Sequence, residues 1–141
     1  PTVALAASLE TALEAAVGEL PARTARVKEA NAFLRDALSK YPKVHINSPE
    51  NAIPHILNLS VENVKGTVFQ RELDAEGVCV SVKSACSSDG LPSRAVFAVS
   101  RDRRNALSSW RISLSHLTTQ EELNGFLHAF DACYTRLTRP Q

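Results

Sequence analysis

The segment Ser84-Ala85-Cys86-Ser87-Ser88 sets one thiol among small polar residues just where an apolar run ends. A nucleophilic cysteine needs exposure, room for a substrate to approach and a stabilised thiolate. A serine-rich loop tip offers the first two, and hydrogen-bond donors for the third. Cysteine also suits a buried strand end as a small side chain, but the three flanking serines and the Asp89-Gly90 turn weigh against burial here. The other two cysteines read differently. Cys79 lies inside a valine-rich run and Cys133 follows Phe130 by three residues on an apolar stripe, so both are expected in the core.

Arg111 is the second residue that could do chemistry, because it stands mid-strand between Trp110 and Ile112. A guanidinium there is costly unless it finds a carboxylate or water. An internal salt bridge or a solvent-facing position would satisfy it. So would a bidentate grip on a substrate carboxylate, to which the planar fork of arginine is suited. The histidines, His45, His55, His116 and His128, show no ligand spacing, the cysteines form no CxxC pair, and the five glycines are scattered rather than gathered into a phosphate loop. No metal site is expected.

These residues must be held by the elements around them. Leu9, Leu13, Val17 and Leu20 recur at helical spacing; Gly18 and Pro21 then interrupt, with Pro21 placed to open a second helix carrying Val27, Ala30, Leu34, Ala37 and Leu38 on one face. Tyr41-Pro42 stops that helix. Short strands are predicted at Val44 to Ile46 and Ile56 to Ser60 around the turn-rich Asn47-Ser48-Pro49-Glu50-Asn51, and a helix over Gly66 to Ala75, closed by Gly77. Val78, Cys79, Val80 and Val82 read as a nearly continuous apolar strand, Pro92 to Val99 as a short helix, and Trp110 to Leu114 as an alternating strand. In the last helix Thr118-x-x-Glu121 and Thr119-x-x-Glu122 both match a capping box, ahead of the stripe Leu123, Phe126, Leu127, Phe130, Tyr134 and Leu137. The sum is an α+β fold, a small sheet with helices covering one face.

A chain of 141 residues fits one domain, residues 1–141, with 1–41 as a helical linker region. A net charge of +1 gives no electrostatic case for nucleic acid or membrane, and the basic group Arg101, Arg103 and Arg104, broken by Asp102 and followed by Asn105, reads as a solvated turn. Three widely spaced cysteines argue against a disulfide framework and for a reducing, cytoplasmic setting. No signal peptide or membrane span is expected from these residues, and the immediate onset of helical periodicity after Pro1 reads as a piece of something longer.

Several segments together resemble the C-terminal part of a pyridoxal-phosphate-dependent cysteine desulfurase of the NifS/IscS type, in the class V aminotransferase superfamily. They are Ile53-Pro54-His55-Ile56-Leu57-Asn58-Leu59-Ser60, Leu73 to Ser81, Ser84-Ala85-Cys86-Ser87-Ser88, Pro92-Ser93, and Trp110-Arg111-Ile112-Ser113-Leu114 followed by Thr118 to Glu122. Their order and spacing match from near Pro1 to the final helix. The resemblance implies the small domain of a fold-type I enzyme, with Cys86 as the catalytic cysteine on a mobile loop and Arg111 as the arginine that holds the carboxylate of substrate L-cysteine. It implies sulfur transfer from cysteine to a Cys86 persulfide, release of L-alanine, and delivery to a sulfur-acceptor protein, as in iron–sulfur cluster assembly. The full-length parent would be a homodimer.

None of Lys28, Lys40, Lys43, Lys65 or Lys83 has the family's cofactor-lysine context. By the resemblance, pyridoxal phosphate is bound by a large domain absent from this chain, and the chain alone is expected to be inactive. Departures from the family pattern are Lys83 before Ser84, Ser115-His116 in place of a frequent Gly-Arg pair, and an interval from Cys86 to Pro92 one residue shorter than in many relatives. They bear on loop reach and acceptor identity. Lys83 either lowers the thiol pKa by its charge or is simply a solvated lysine at a strand end. Two alternatives stand beside this reading: a selenocysteine lyase or another class V member, and a non-enzymatic sulfur-relay or docking module.

Overall fold

The computed structural model describes residues 2–82 and 91–139; Lys83, Cys86 and the Asp89-Gly90 turn lie outside them. The described chain runs α1 (Val3–Ser39), β1 (Val44–Ile46), β2 (Ile56–Val61), α2 (Gly66–Ala75), α3 (Arg94–Ser100), α4 (Arg103–Ser108), β3 (Ser109–Ser113) and α5 (Gln120–Thr138). The three strands form one antiparallel sheet in the order β1-β2-β3.

Strand alternation separates the two faces of this sheet. Leu57, Leu59, Val61, Trp110 and Ile112 are buried on one face and pack with Val27, Leu34 and Leu38 of α1, Phe69 and Leu73 of α2, and Phe126 and Phe130 of α5. The aromatic members interlock: Phe69 stacks on Trp110 with ring centroids 5.1 Å apart, and Phe130 sits 5.3 Å from Phe69 and 5.0 Å from Tyr41. Rings of this size dominate a core's apolar burial, and such pairs each add about 0.5–1.5 kcal/mol beyond it. The residues of β2 and β3 between these apolar positions, Asn58, the buried Ser60 and Arg111, belong to the opposite face, which is polar.

Two readings from the sequence need correction. Residues 3–39 form one continuous helix with Pro21 inside it, not two helices meeting at Pro21. A proline in a helix interior removes one hydrogen bond and crowds the carbonyl four residues back; here that residue is Val17, which is 68% exposed, so water can satisfy the freed carbonyl. Cys79 is exposed rather than in the core. Between Val78 and Val82 only Ser81 pairs with another strand, as an isolated antiparallel bridge to Arg111. The side chains still alternate: Val78, Val80 and Val82 pack against the core, which turns Cys79 outward. Cys133 is fully buried as expected, and burial pushes its thiol pKa up.

The helix ends follow local chemistry. α1 stops just before Tyr41-Pro42, and α5 begins in a capping box in which Thr119 Oγ1 accepts from the Glu122 backbone while Glu122 returns to the Thr119 N–H. Thr118 plays a different part, its hydroxyl accepting from the Ser115 backbone N–H at 3.0 Å. α3 starts at Arg94, two residues into its predicted region, capped by Ser93, and Asp102 caps α4 by accepting from Arg104 and Asn105. Arg101, Arg103 and Arg104 are exposed around that cap, but Arg103 and Arg104 open α4 rather than lying in the solvated turn expected.

Gly66 is set by close approach rather than by conformation. A Cβ there would collide with the Ser109 carbonyl oxygen and lie 3.1 Å from its carbon and 3.3 Å from the Ser108 oxygen, all backbone atoms that cannot rotate away. Gly66→Ala is therefore expected to destabilise the fold by about 1–3 kcal/mol, the range of overpacked core sites, read as a lower urea midpoint. An unchanged midpoint would mean that α2 and β3 are not pressed together.

Tyr41 joins the end of α1 to α5 by donating its hydroxyl to Asp131 Oδ1 at 2.9 Å. Burial, followed by that hydrogen bond and the Asp131 charge, pushes its pKa up from 10.0 to about 12. The folded chain thus keeps the phenolic proton longer than the unfolded one. Its contribution is complete below pH 10 and is lost as pH rises towards 12. Urea titrations should show this alkaline decline, and Tyr41→Phe should flatten it.

Candidate functional site

Arg111 is the central residue of β3, opposite Asn58 of β2. On its other side the backbone is locked to Ser81: the Arg111 N–H donates to the Ser81 carbonyl at 2.7 Å and the Ser81 N–H donates to the Arg111 carbonyl at 3.1 Å. α2 supports this edge, because Gln70 Nε2 donates to the Val80 carbonyl at 3.0 Å. Directly opposed residues of an antiparallel pair project to the same face. Asn58, Arg111 and Ser81 therefore form a row across the polar face.

Among the described residues the guanidinium in this row has no partner. Among the described residues Arg111 makes no ion pair, and its Nε is buried without a hydrogen bond. The other buried side-chain nitrogen in that condition is Trp110 Nε1, among the aromatic rings on the apolar face. A buried, unsatisfied donor on a charged group costs about 1–3 kcal/mol or more, so such a group is poised for an anion. Of the uses open to Arg111 from sequence, an internal salt bridge is excluded among the described residues. Cys86, the other candidate, lies outside them; Ser81, five residues earlier, is the described residue that brings its segment beside Arg111.

Sequence reasoning missed a set of amides on this same face. Asn47 Nδ2 donates to Asn58 Oδ1 at 2.9 Å and to Ser60 Oγ at 2.8 Å; Ser60 Oγ donates to Asn105 Oδ1; and Asn105 Nδ2 donates back to Asn47 Oδ1 at 2.8 Å. From sequence, Asn47 reads as a turn residue and Asn105 as the end of a solvated turn. The available signal was Asn58 and Ser60 alternating with Leu57 and Leu59.

The described residues do not suit pyridoxal phosphate. Lys40 pairs with Asp36 at 3.2 Å and Lys43 donates to the Thr138 carbonyl at 2.9 Å, while Lys28 and Lys65 are exposed on helical surface and at a helix start. None can offer a sheltered amine to an aldehyde. A small cleft formed by Leu91, Pro92, Arg94, Phe97 and Arg103 contains no lysine. Among the described residues no three histidine, cysteine or acidic side chains gather as a metal site, and no helix is long and apolar enough to cross a membrane.

Comparison with known proteins bears on this arrangement. A cysteine desulfurase IscS of Dictyoglomus turgidum is 34% identical over 129 residues, covering 89% of this chain and 33% of the relative. One from Pseudomonas putida is 34% identical over 108 residues, covering 75% of this chain and 26% of the relative. The chain thus spans about a third or less of the curated relatives it matches. Among solved structures, a NifS-like protein superposes with a TM-score of 0.73 at 29% identity, over 91% of this chain and 31% of the other. The NifS-like protein of Rickettsia africae gives 0.72 at 26% identity, over 84% and 31%. The small antiparallel sheet with its covering helices is therefore that of the NifS-like proteins. Residues 1–126 match the family described as aminotransferase class V, and the chain belongs to that family.

Proposed function

We propose that this chain is the C-terminal domain of a cysteine desulfurase, in which Arg111 binds the carboxylate of L-cysteine and Cys86 takes its sulfur. The observation that carries the reading is the Arg111 guanidinium, unpartnered among the described residues, on a strand whose edge is bonded to Ser81, with the Ser-Ala-Cys-Ser-Ser segment beginning three residues on. Five residues of chain span at most about 18 Å, so covalent connectivity keeps Cys86 within reach of the Arg111 neighbourhood. The Cys86 thiolate attacks the substrate sulfur. An S–S bond forms, the substrate C–S bond breaks, its electron pair stays with carbon, and a proton there completes alanine. The persulfide sulfur then passes to an acceptor protein thiol.

Pyridoxal phosphate, which would supply the electron sink, is held by the larger part of the parent. That part also gives a reason for the first half of α1, where Leu5, Leu9, Leu13, Val17 and Leu20 are all more than half exposed. In the parent this stripe is the seam between the two parts. The reading is tested by giving the full-length parent L-cysteine and L-selenocysteine and measuring alanine. Alanine from cysteine at a useful rate supports it; alanine from selenocysteine alone would assign a lyase, and none from either would leave a non-enzymatic module.

A further inference from the structure

We infer that the amide ring of Asn47, Ser60 and Asn105 is a positioning device that keeps Asn58 from closing on Arg111, so that the guanidinium stays open to the substrate carboxylate. This rests on the clamp reading of Arg111. Asn58 is the direct cross-strand neighbour of Arg111, and opposed Cβ atoms stand about 4.5–5.5 Å apart. An amide oxygen there is a natural acceptor for a guanidinium N–H, yet Arg111 Nε has no partner. The Asn58 oxygen is instead engaged by Asn47.

Asn47 is held in turn. Its two donated bonds go to Asn58 and Ser60, and its own oxygen accepts from Asn105, which accepts from Ser60. Ser60, the hub, is 1% exposed. A closed circuit of this kind fixes each amide's orientation, because turning any one breaks two bonds, and bonds in a chain polarise one another. It also ties three elements together: the residue after β1, the middle of β2, and α4, which leads directly into Arg111's strand. The arrangement uses polar groups that neither cap a helix nor pair a strand through their side chains, except that Asn105's backbone N–H serves the α4 cap.

Asn58→Asp in the full-length parent is the decisive variant. The Asn58 Nδ2 donates no described hydrogen bond, so aspartate can keep the bond from Asn47 while presenting a carboxylate to Arg111. The KM for cysteine should rise at least tenfold with kcat within threefold, while the melting temperature holds or rises. A residue with a purely structural part would not raise KM without loss of stability. Asn47→Ala, which frees the Asn58 oxygen, should also raise KM, and Asn47→Ala with Asn58→Ala should restore it to within threefold although more hydrogen bonds are gone. KM unchanged in both single variants, or a double variant no better than Asn47→Ala, overturns the inference. Arg111→Ala measured alongside separates the two failures. If it raises KM and Asn58→Asp does not, only the positioning role falls; if it leaves KM unchanged, the clamp falls and the positioning role with it.

Discussion

Cys86→Ser in the full-length parent is expected to lower alanine release from cysteine at least about 10³-fold, with little change in stability. Removing the nucleophile of a covalent mechanism leaves only binding and the remaining catalytic groups, and a hydroxyl attacks sulfur far less readily than a thiolate does. The other two thiols make internal controls. Cys79 is exposed and precedes Ser81 by two residues, so it is the competitor for the sulfur-accepting role. Its outward side chain stands on a segment whose backbone is fixed by Gln70 and Arg111, which denies it the travel that delivery to an acceptor requires. Cys79→Ser should leave alanine release within twofold. Cys133 has no exposed surface, so no substrate reaches its thiol, and burial pushes its pKa up. Rapid alanine release by Cys86→Ser, lost on Cys79→Ser, would move the nucleophile to Cys79.

Arg111→Ala should weaken kcat/KM for cysteine by about 2–4 kcal/mol, roughly 30- to 1,000-fold, the cost of losing one side of a desolvated charge-assisted pair. The loss should fall mainly on KM, because on the proposed reading the clamp holds the carboxylate before and during sulfur transfer alike. Arg111→Lys should recover only part, since an ammonium keeps the charge without the planar fork. Cysteamine, which lacks the carboxylate, should be a poor substrate for the native parent and should lose almost nothing further on Arg111→Ala. A native KM in Arg111→Ala would remove the clamp.

Much of the fold was legible because its signals are local. Proline at 42, glycine at 77 and the Thr119–Glu122 box set ends that need no tertiary partner, and the α5 stripe follows from period alone. Where tertiary surroundings decided, the reading failed. Gly18 and Pro21 signal a break, but a helix surface open to water lets Pro21 cost one hydrogen bond without ending the helix. The run Val78–Val82 looks like a strand buried on both sides, whereas only one edge is paired and alternation turns Cys79 out.

The site divides in the same way. Arg111 could be picked out because a charge between Trp110 and Ile112 is anomalous within its own strand. Its lack of a partner among the described residues could not, since that depends on what Asn58 and Ser81 bring across the sheet. The amide ring was hidden for the reason that its members are far apart in the chain: Asn47 and Asn105 are separated by 58 positions and meet only once β1, β2 and α4 are assembled.

The most direct test is peptide mass spectrometry of the full-length parent after addition of L-cysteine in the absence of thiol reductant. One added sulfur on the peptide containing Cys86, absent in Arg111→Ala at low cysteine and restored at high, is the expected result. Alanine formed with no sulfur on Cys86, or with the sulfur on Cys79, would contradict it.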